Sequence, residues 1–460
     1  MLQKRFFVLL YPVFLSLSLF SQYEGKHAVS AEALFSTGEN LPFWLAHNQS
    51  GKYGEATPFT QLLELQTHNR LNRVFQTGID LKFGSRFIVT HTNNFQVHFN
   101  ELYGGIHFWK LVKLEGGIFR EEEYLSGLSS TNRNLDRTLN ARPYPKIRFS
   151  TDGFVNPFFW KEWLSVKAEY DEGWLDDLRH VMNTHLHHKA LYLKFTLKEG
   201  MNLTAGLNHF VQWGGTHPVY GKLPGIESYW LYVTGKPGDS TFIGNDILNA
   251  SGNQFGSYYL QWDLSKPAYD LIVYLSHPFD DKSGMEGDNW RDNLIGVFID
   301  GKRKAFLEKG VYEFLYTLHQ SGDTHEYGYM RGRDNYYNHS VYNSGFTYRG
   351  YTLCTPLFGP MNIRDGKVIG IENTRIVMHH AGLMGSIGDF LKWEAMLTYT
   401  YNMGTYDTPY TPPKNQFSSL LSLYFTHPKF PVDLSFSTGA DLGELYTNQV
   451  GARLSISKTF

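Results

Sequence analysis

Apolar and polar residues alternate with a period of two along most of this chain. Ile79, Leu81 and Phe83 alternate with Gly78, Asp80 and Lys82. Leu191, Leu193, Phe195 and Leu197 alternate with Tyr192, Lys194 and Thr196, and Tyr258, Leu260, Trp262 and Leu264 with Tyr259, Gln261 and Asp263. Leu391, Trp393, Ala395, Leu397 and Tyr399 oppose Lys392, Glu394, Thr398 and Thr400. Successive side chains of a strand point to opposite faces, so this period predicts strands with one apolar and one wet face. Short breaks at Trp109-Lys110, Lys198-Glu199-Gly200, Lys266-Pro267 and Asp389 read as tight turns. Longer polar stretches at 120–144, 171–188, 213–254, 276–291, 319–343 and 401–416 read as loops, with short helices expected within 121–139 and 171–186. Short turns on one side and long loops on the other is the asymmetry of a transmembrane β-barrel, and the pattern allows about 16–20 strands.

The two ends of the chain sharpen this expectation. From Val450 to Phe460 the even positions are apolar apart from Lys458, and the odd ones are Gly451, Arg453, Ser455, Ser457 and Thr459. A last strand of that kind, ending on an aromatic residue, is expected to close the barrel against a strand near 27–36, and deleting Phe460 is expected to impair membrane assembly. Residues 1–22 read as a signal peptide, with Lys4 and Arg5 ahead of the apolar Phe6 to Phe20 and a polar Ser21-Gln22. That run is about 15 residues, short of the about 20 that a helical span needs. The remainder, 23–460, is expected to be one barrel domain, since no Pro/Ser-rich linker divides it. Cys354 is the only cysteine, so no internal disulfide staples the exported chain.

Composition agrees. Aromatic residues make up 16% of the chain, a load suited to the interfacial girdles of a barrel. A formal net charge of −2 supplies no field to draw nucleic acid, so none is expected as a partner.

Candidate chemistry is thin. His185 and His187 share a face of an extended run, with His180 and His188 nearby, yet a polar strand entry explains them as well as a metal would. The pairs Asp176-Asp177 and Asp280-Asp281 and the run Glu121-Glu122-Glu123 are neighbours in sequence, not carboxylates set across a bond. No Gly-x-Ser-x-Gly occurs. The expectation is no enzyme, no metal and no cofactor. Three polar-aromatic clusters stand out instead: Gly206 to Gly215; Gly252 to Tyr258, continuing to His277–Gly284; and Gly332-Arg333-Asp334-Asn335-Tyr336-Tyr337-Asn338-His339, running on to Gly350. Sugars want flat ring faces with Asn, Asp and Arg alongside. Arg333, Asp334, Tyr336, Tyr337 and Asn338, with Gln212 and Trp213, are therefore the candidate glycan contacts. In an extended run Asp334, Tyr336 and Asn338 share one face, and Arg333 and Tyr337 the other.

At these clusters, and at Leu41-Pro42-Phe43-Trp44-Leu45-Ala46-His47-Asn48-Gln49, the chain resembles the Wzi capsule-assembly family in its Bacteroidetes-type branch. The likeness runs from about residue 28 to the end. It implies a monomeric outer-membrane barrel of about 18 strands, inserted by the barrel-assembly machinery and bounded by outer-membrane lipid. It implies a surface lectin that binds exported capsular polysaccharide or another exopolysaccharide and supports capsule assembly. The family's periplasmic helical bundle has no clear counterpart here. The expected lumen is occluded by loops, with 213–254 and 319–343 folding inward and the long loops facing the cell surface. A porin or substrate-specific channel is the alternative, and a barrel enzyme the third reading.

Overall fold

The computed structural model describes residues 22–53, 57–74, 77–157, 161–247, 250–280, 284–323 and 332–460. Residues 1–21 of the expected signal peptide lie outside them, and Gln22 opens the first strand. Eighteen antiparallel strands form one closed sheet. They are β1 Gln22–Ser36, β2 Phe59–Asn72, β3 Ile79–His91, β4 Phe95–Phe108, β5 Val112–Ile118, β6 Pro145–Thr151, β7 Leu164–Leu175, β8 Thr184–Lys198 and β9 Met201–Trp213. The second half comprises β10 Asn253–Ser265, β11 Tyr269–Asp280, β12 Asn293–Gly301, β13 Lys309–Tyr316, β14 Ile376–Ile387, β15 Leu391–Gly404, β16 Pro409–Phe425, β17 Asp433–Gly443 and β18 Gln449–Thr459. Each strand pairs with the next, and β18 pairs with β1 in the register Ala28↔Thr459 to Ser36↔Gly451. Closure leaves no unpaired edge for lipid to meet.

The expected last-strand pattern holds. Val450, Leu454 and Ile456 are exposed on the outer wall, whereas Arg453 points inward and donates to Ser437 Oγ and Tyr53 Oη, each at 3.1 Å. Leu63, Val97, Phe99, Leu191, Leu260, Ile295, Leu421 and Phe436 continue the outward apolar band around the barrel. So large an exposed apolar belt suits hydrocarbon rather than water.

The four tight turns read from the sequence lie at the end that holds the start of β1 and the finish of β18, here the proximal end; the longest connections, 37–58, 119–144, 214–252 and 317–375, lie at the distal end, which also has short turns at 92–94 and 405–408. The polar stretches 171–188, 276–291 and 401–416 are shorter as loops than expected. Most of 171–188 and of 401–416 is strand, leaving 176–183 and 405–408 between elements, and 276–280 belongs to β11. The helices expected in 121–139 and 171–186 do not form: the first holds a single short turn at Leu125–Gly127 and the second is mostly β7 and β8. Two short α-helices among the described residues are α1 Phe43–Ala46 and α2 Tyr229–Thr234.

Side chains of the wall alone do not fill a barrel of this strand number. Here three distal segments pack into its interior. Residues 41–53 bring in Trp44, whose Nε1 donates to Thr398 Oγ1 on β15 at 2.9 Å. Residues 119–144 place Ser129, Ser130 and Thr131 around Glu313 of β13 and the Leu128 carbonyl on His380 Nε2 of β14. Gly382 faces that carbonyl so closely that a Cβ would collide with it, so the wall needs glycine there. Residues 334–358 complete the set. Asn140 Nδ2 donates to the Thr352 carbonyl at 3.0 Å, Thr355 N to the Leu135 carbonyl at 2.9 Å, and Ser50 N to the Leu139 carbonyl at 2.6 Å. Leu34, Leu62, Ile88, Trp44, Leu128, Leu135, Phe255, Tyr337, Phe346 and Cys354 thus share one apolar core inside the barrel. The inward segments are therefore chiefly 41–53, 119–144 and 334–358, rather than the whole of 213–254 and 319–343.

Candidate functional site

The third polar-aromatic cluster does not run extended. Asn338 N donates to the Asn335 carbonyl at 2.9 Å, closing a turn in which Tyr337 takes a left-handed φ of 63°. The turn sends both tyrosines into the core and leaves the polar residues around a cavity. Tyr336 Oη donates to Asp292 Oδ2 at 2.6 Å and accepts from Asn289 Nδ2 at 2.6 Å. Tyr337 Oη donates to Asp136 Oδ1 at 2.5 Å, while its ring packs on Phe346 and Phe255. Neither ring is free to stack on a sugar: Tyr336 is 1% exposed and Tyr337 2%. Gln212 is likewise interior, donating to the Gly345 carbonyl and accepting from Asn253 Nδ2. Trp213 is sandwiched by His185 and by Tyr229 and Tyr232 of the α2 region. These four hold the distal end in shape. Burial, which alternation cannot reveal, is what removes them from the surface.

The other three candidates line a distal cavity of about 500 Å3. Arg333 stands at its mouth, with Nη2 donating to Asp407 Oδ1 at 3.0 Å and to the Tyr406 carbonyl at 3.2 Å. Asp334 accepts from Ser321 Oγ at 2.5 Å. Asn338 is locked onto the backbone of Ile371: its Nδ2 donates to the Ile371 carbonyl at 3.0 Å and its Oδ1 accepts from Ile371 N at 2.7 Å. Sequence reading missed Asp246, Asn335, Asn343, Asn362 and Thr405, which complete the wall. Their signal is the recurrence of Asn through the distal loops. Nothing local distinguishes an Asn that faces a cavity from one that closes a turn.

His339 and Asp246 meet on one side of this cavity, with Nε2 3.6 Å from Oδ1. The distance is that of an ion pair, but burial lowers the imidazole to about 4 and raises the carboxyl to about 6. Near pH 7 the histidine is neutral, its Nδ1 accepting from Val341 N and Tyr342 N. The carboxylate then faces an N–H rather than a cation.

Charge is concentrated deeper. Glu121 is held well below the usual carboxylate range despite its burial, by Arg137, Arg148 and Lys146. Arg148 also forks onto both oxygens of Asp171, at 2.8 and 2.6 Å, and Arg137 reaches Glu169 at 2.8 Å. Glu169, Asp171 and His188 offer atoms close enough for one metal ion. Arginine already occupies the Asp171 oxygens, and the cluster reads as a staple between residues 119–144 and β6–β8. His187, the other histidine of the run, pairs with Glu172 at 2.6 Å.

No protein-family model matches the chain, and no curated protein sequence does. Solved structures do. Over 97% of this chain and 86% of its own, Escherichia coli Wzi is similar with a TM-score of 0.56 at 15% identity; it is described as an outer-membrane carbohydrate-binding β-barrel involved in group 1 capsule assembly. Pseudomonas aeruginosa OccK5 (OpdH) is similar over 95% of this chain and 98% of its own, with a TM-score of 0.51 at 8% identity. At these identities the likeness establishes the fold, that of outer-membrane barrels.

Proposed function

We propose that this protein is a non-catalytic saccharide-binding barrel of the outer membrane, of the Bacteroidetes-type Wzi capsule-assembly family, with its distal loops at the cell surface. Its ligand is an exported capsular polysaccharide or another exopolysaccharide, which it helps retain. The observation that carries this reading is the distal cavity: a concave, amide-rich surface whose Asn335, Asn338 and Asn343 are set by a buried frame. Amides and carboxylates held in place match sugar hydroxyls as paired donors and acceptors. The likeness to a carbohydrate-binding barrel supports the same class of ligand. Each hydrogen bond in such a wet site contributes about 0.5–1.5 kcal/mol, so retention draws on many repeats of the polymer acting together.

Asn338→Ala and Arg333→Gln are expected to release surface polymer into the medium at matched barrel levels, with affinity for purified polymer down several-fold. Wild-type retention by both variants would place the polymer elsewhere. With the three inward segments blocking the lumen on this reading, planar-bilayer recordings of the purified protein are expected to show little steady conductance. Large stable channel steps would favour the porin alternative.

A further inference from the structure

A second and larger cavity, of about 710 Å3, lies on the proximal side of residues 119–134. It shares no lining residue with the distal cavity. It opens at the β6–β7 turn, where Gly153 and Phe154 are exposed, and beside the exposed Lys26 of β1. Among the described residues the distal cavity has no aromatic side chain on its wall other than the His339 ring, whereas this one presents Tyr103, Phe119, Tyr124, Tyr192 and Tyr259. Flat rings interleaved with Asn132, Thr204 and Gln261 are what a sugar's C–H faces and hydroxyls require. The volume falls within the about 300–1,000 Å3 typical of ligand clefts, and the many charged groups of the wall exclude a purely apolar occupant.

Arg133 supplies this wall with a guanidinium that has no carboxylate partner among the described residues, on a lining that also carries Lys26, Lys82, Glu122 and Glu123. Its guanidinium lies 3.6 Å from the Tyr124 ring centroid and 5.7 Å from that of Tyr259. One N–H, on Nη1, donates to Gln261 Oε1 at 2.8 Å. Arg120, Arg137, Arg148, Lys113 and Lys167 around the same cavity all pair with carboxylates. Among the described residues, Arg133 pairs with none. The chain accepts unusual backbone geometry to put it there: Asn132 and Arg133 take successive left-handed φ values of 53° and 61°. Non-glycine residues adopt that region seldom, and it is retained where the surroundings enforce it.

We propose that this proximal cavity is a second saccharide site, selective for a sugar bearing a carboxylate, with the Arg133 fork holding the acid and the tyrosines holding the ring. A planar guanidinium matches a carboxylate in geometry as well as charge. The proposal rests on the saccharide reading above for its ligand class, but not for its location. It gives the barrel a contact for acidic polymer on the side of the inward segments opposite the loops.

The test uses the full-length barrel in detergent, titrated calorimetrically with tri-α-1,4-galacturonate and with neutral maltotriose. Wild type is expected to prefer the acidic trisaccharide. Arg133→Gln is expected to lower that affinity about tenfold or more, the loss of a charge-assisted contact, and to leave maltotriose unchanged. Arg133→Lys, which keeps the charge without the fork, is expected to fall between. Equal affinity of wild type and Arg133→Gln, with both migrating as folded heat-modifiable barrels, overturns the proposal, as does wild type without measurable trigalacturonate binding. Neither result touches the distal reading, which stands or falls on surface polymer retained by Asn338→Ala.

Discussion

Replacing Glu313 by alanine is expected to free residues 125–135 from the wall while the barrel stays closed. Glu313 is fully buried on β13. Its carboxylate accepts from Ser129 Oγ at 2.6 Å, Ser130 N at 2.7 Å, Ser130 Oγ at 2.6 Å, Thr131 Oγ1 at 3.2 Å and Tyr274 Oη at 2.5 Å. Alanine leaves all five donors facing a gap, and an abandoned buried donor costs about 1–3 kcal/mol before water reaches it. Water entry and rearrangement offset part of this, leaving a net destabilisation of the inward segment of about 3–5 kcal/mol. The β13 ladder to β12 and β14 uses backbone groups and is untouched by the change. Trypsin reports the difference. Arg133 and Arg137 lie within or beside the segment, so the variant is expected to be nicked there under conditions that leave wild type whole, with both still heat-modifiable. Bilayer recordings of the variant are expected to gain open events. Glu313→Gln retains one acceptor oxygen and is expected to fall between. Equal protease resistance in all three proteins would show that Glu313 is not what fastens the segment.

The barrel was legible because lipid imposes a simple rule on its outer face. Leu454 and Ile456 are apolar because they face outward, and Arg453 just before them is not because it faces Tyr53. The tight turns at Trp109-Lys110 and Lys198-Glu199-Gly200 were equally readable, since they separate runs of strict alternation. The interior obeys no such rule. Around 171–188 the strands β7 and β8 carry Asp171, Glu172, His187 and His188, whose partners come from neighbouring strands and from Tyr229, and a strand with so many charges reads like a loop. Residues 121–139 form no helix because their polar groups are satisfied one by one by the wall, as Ser130 is by Glu313 and Asn134 by Ser257. The candidate site divides along the same line. Arg333, Asp334 and Asn338 line a cavity as their chemistry suggested, but Tyr336 and Tyr337 look in sequence like surface rings, and only the turn at Asn335–Asn338 turns them inward. The inward segments carry no periodicity of their own, so their aromatic residues cannot be sorted from those of a girdle.

Asp136→Asn is expected to make the protein more stable near neutral pH, by an amount that vanishes in acid. Asp136 lies in the segment 119–144 and is 1% exposed. Burial raises its carboxyl from 3.8 to about 6; hydrogen bonds from Ser257 and Tyr337, and the charge of Arg137, oppose the rise without cancelling it. Between about pH 4 and 6 the folded protein therefore holds a proton that the unfolded chain has released. The folded state binds more protons there, so this group's contribution is fully present below pH 4 and is lost as pH rises through about 6. A shift of that size corresponds to at most about 3 kcal/mol at pH 7.5. Asparagine has no proton to lose and keeps an oxygen for the Tyr337 hydroxyl, so a gain of about 1–3 kcal/mol is expected at pH 7.5, closing toward pH 4. His47 works in the opposite sense. Burial lowers it from 6.5 to about 4, so its contribution grows as pH rises between those values. The wild-type profile is consequently flattened, and the difference between the two proteins isolates Asp136. Unfolding midpoints of the purified barrels at pH 4.5, 6 and 7.5 measure it. A variant weakened equally at every pH would mean that the Tyr337–Asp136 contact acts through shape alone, and that the carboxyl carries no charge penalty in the core.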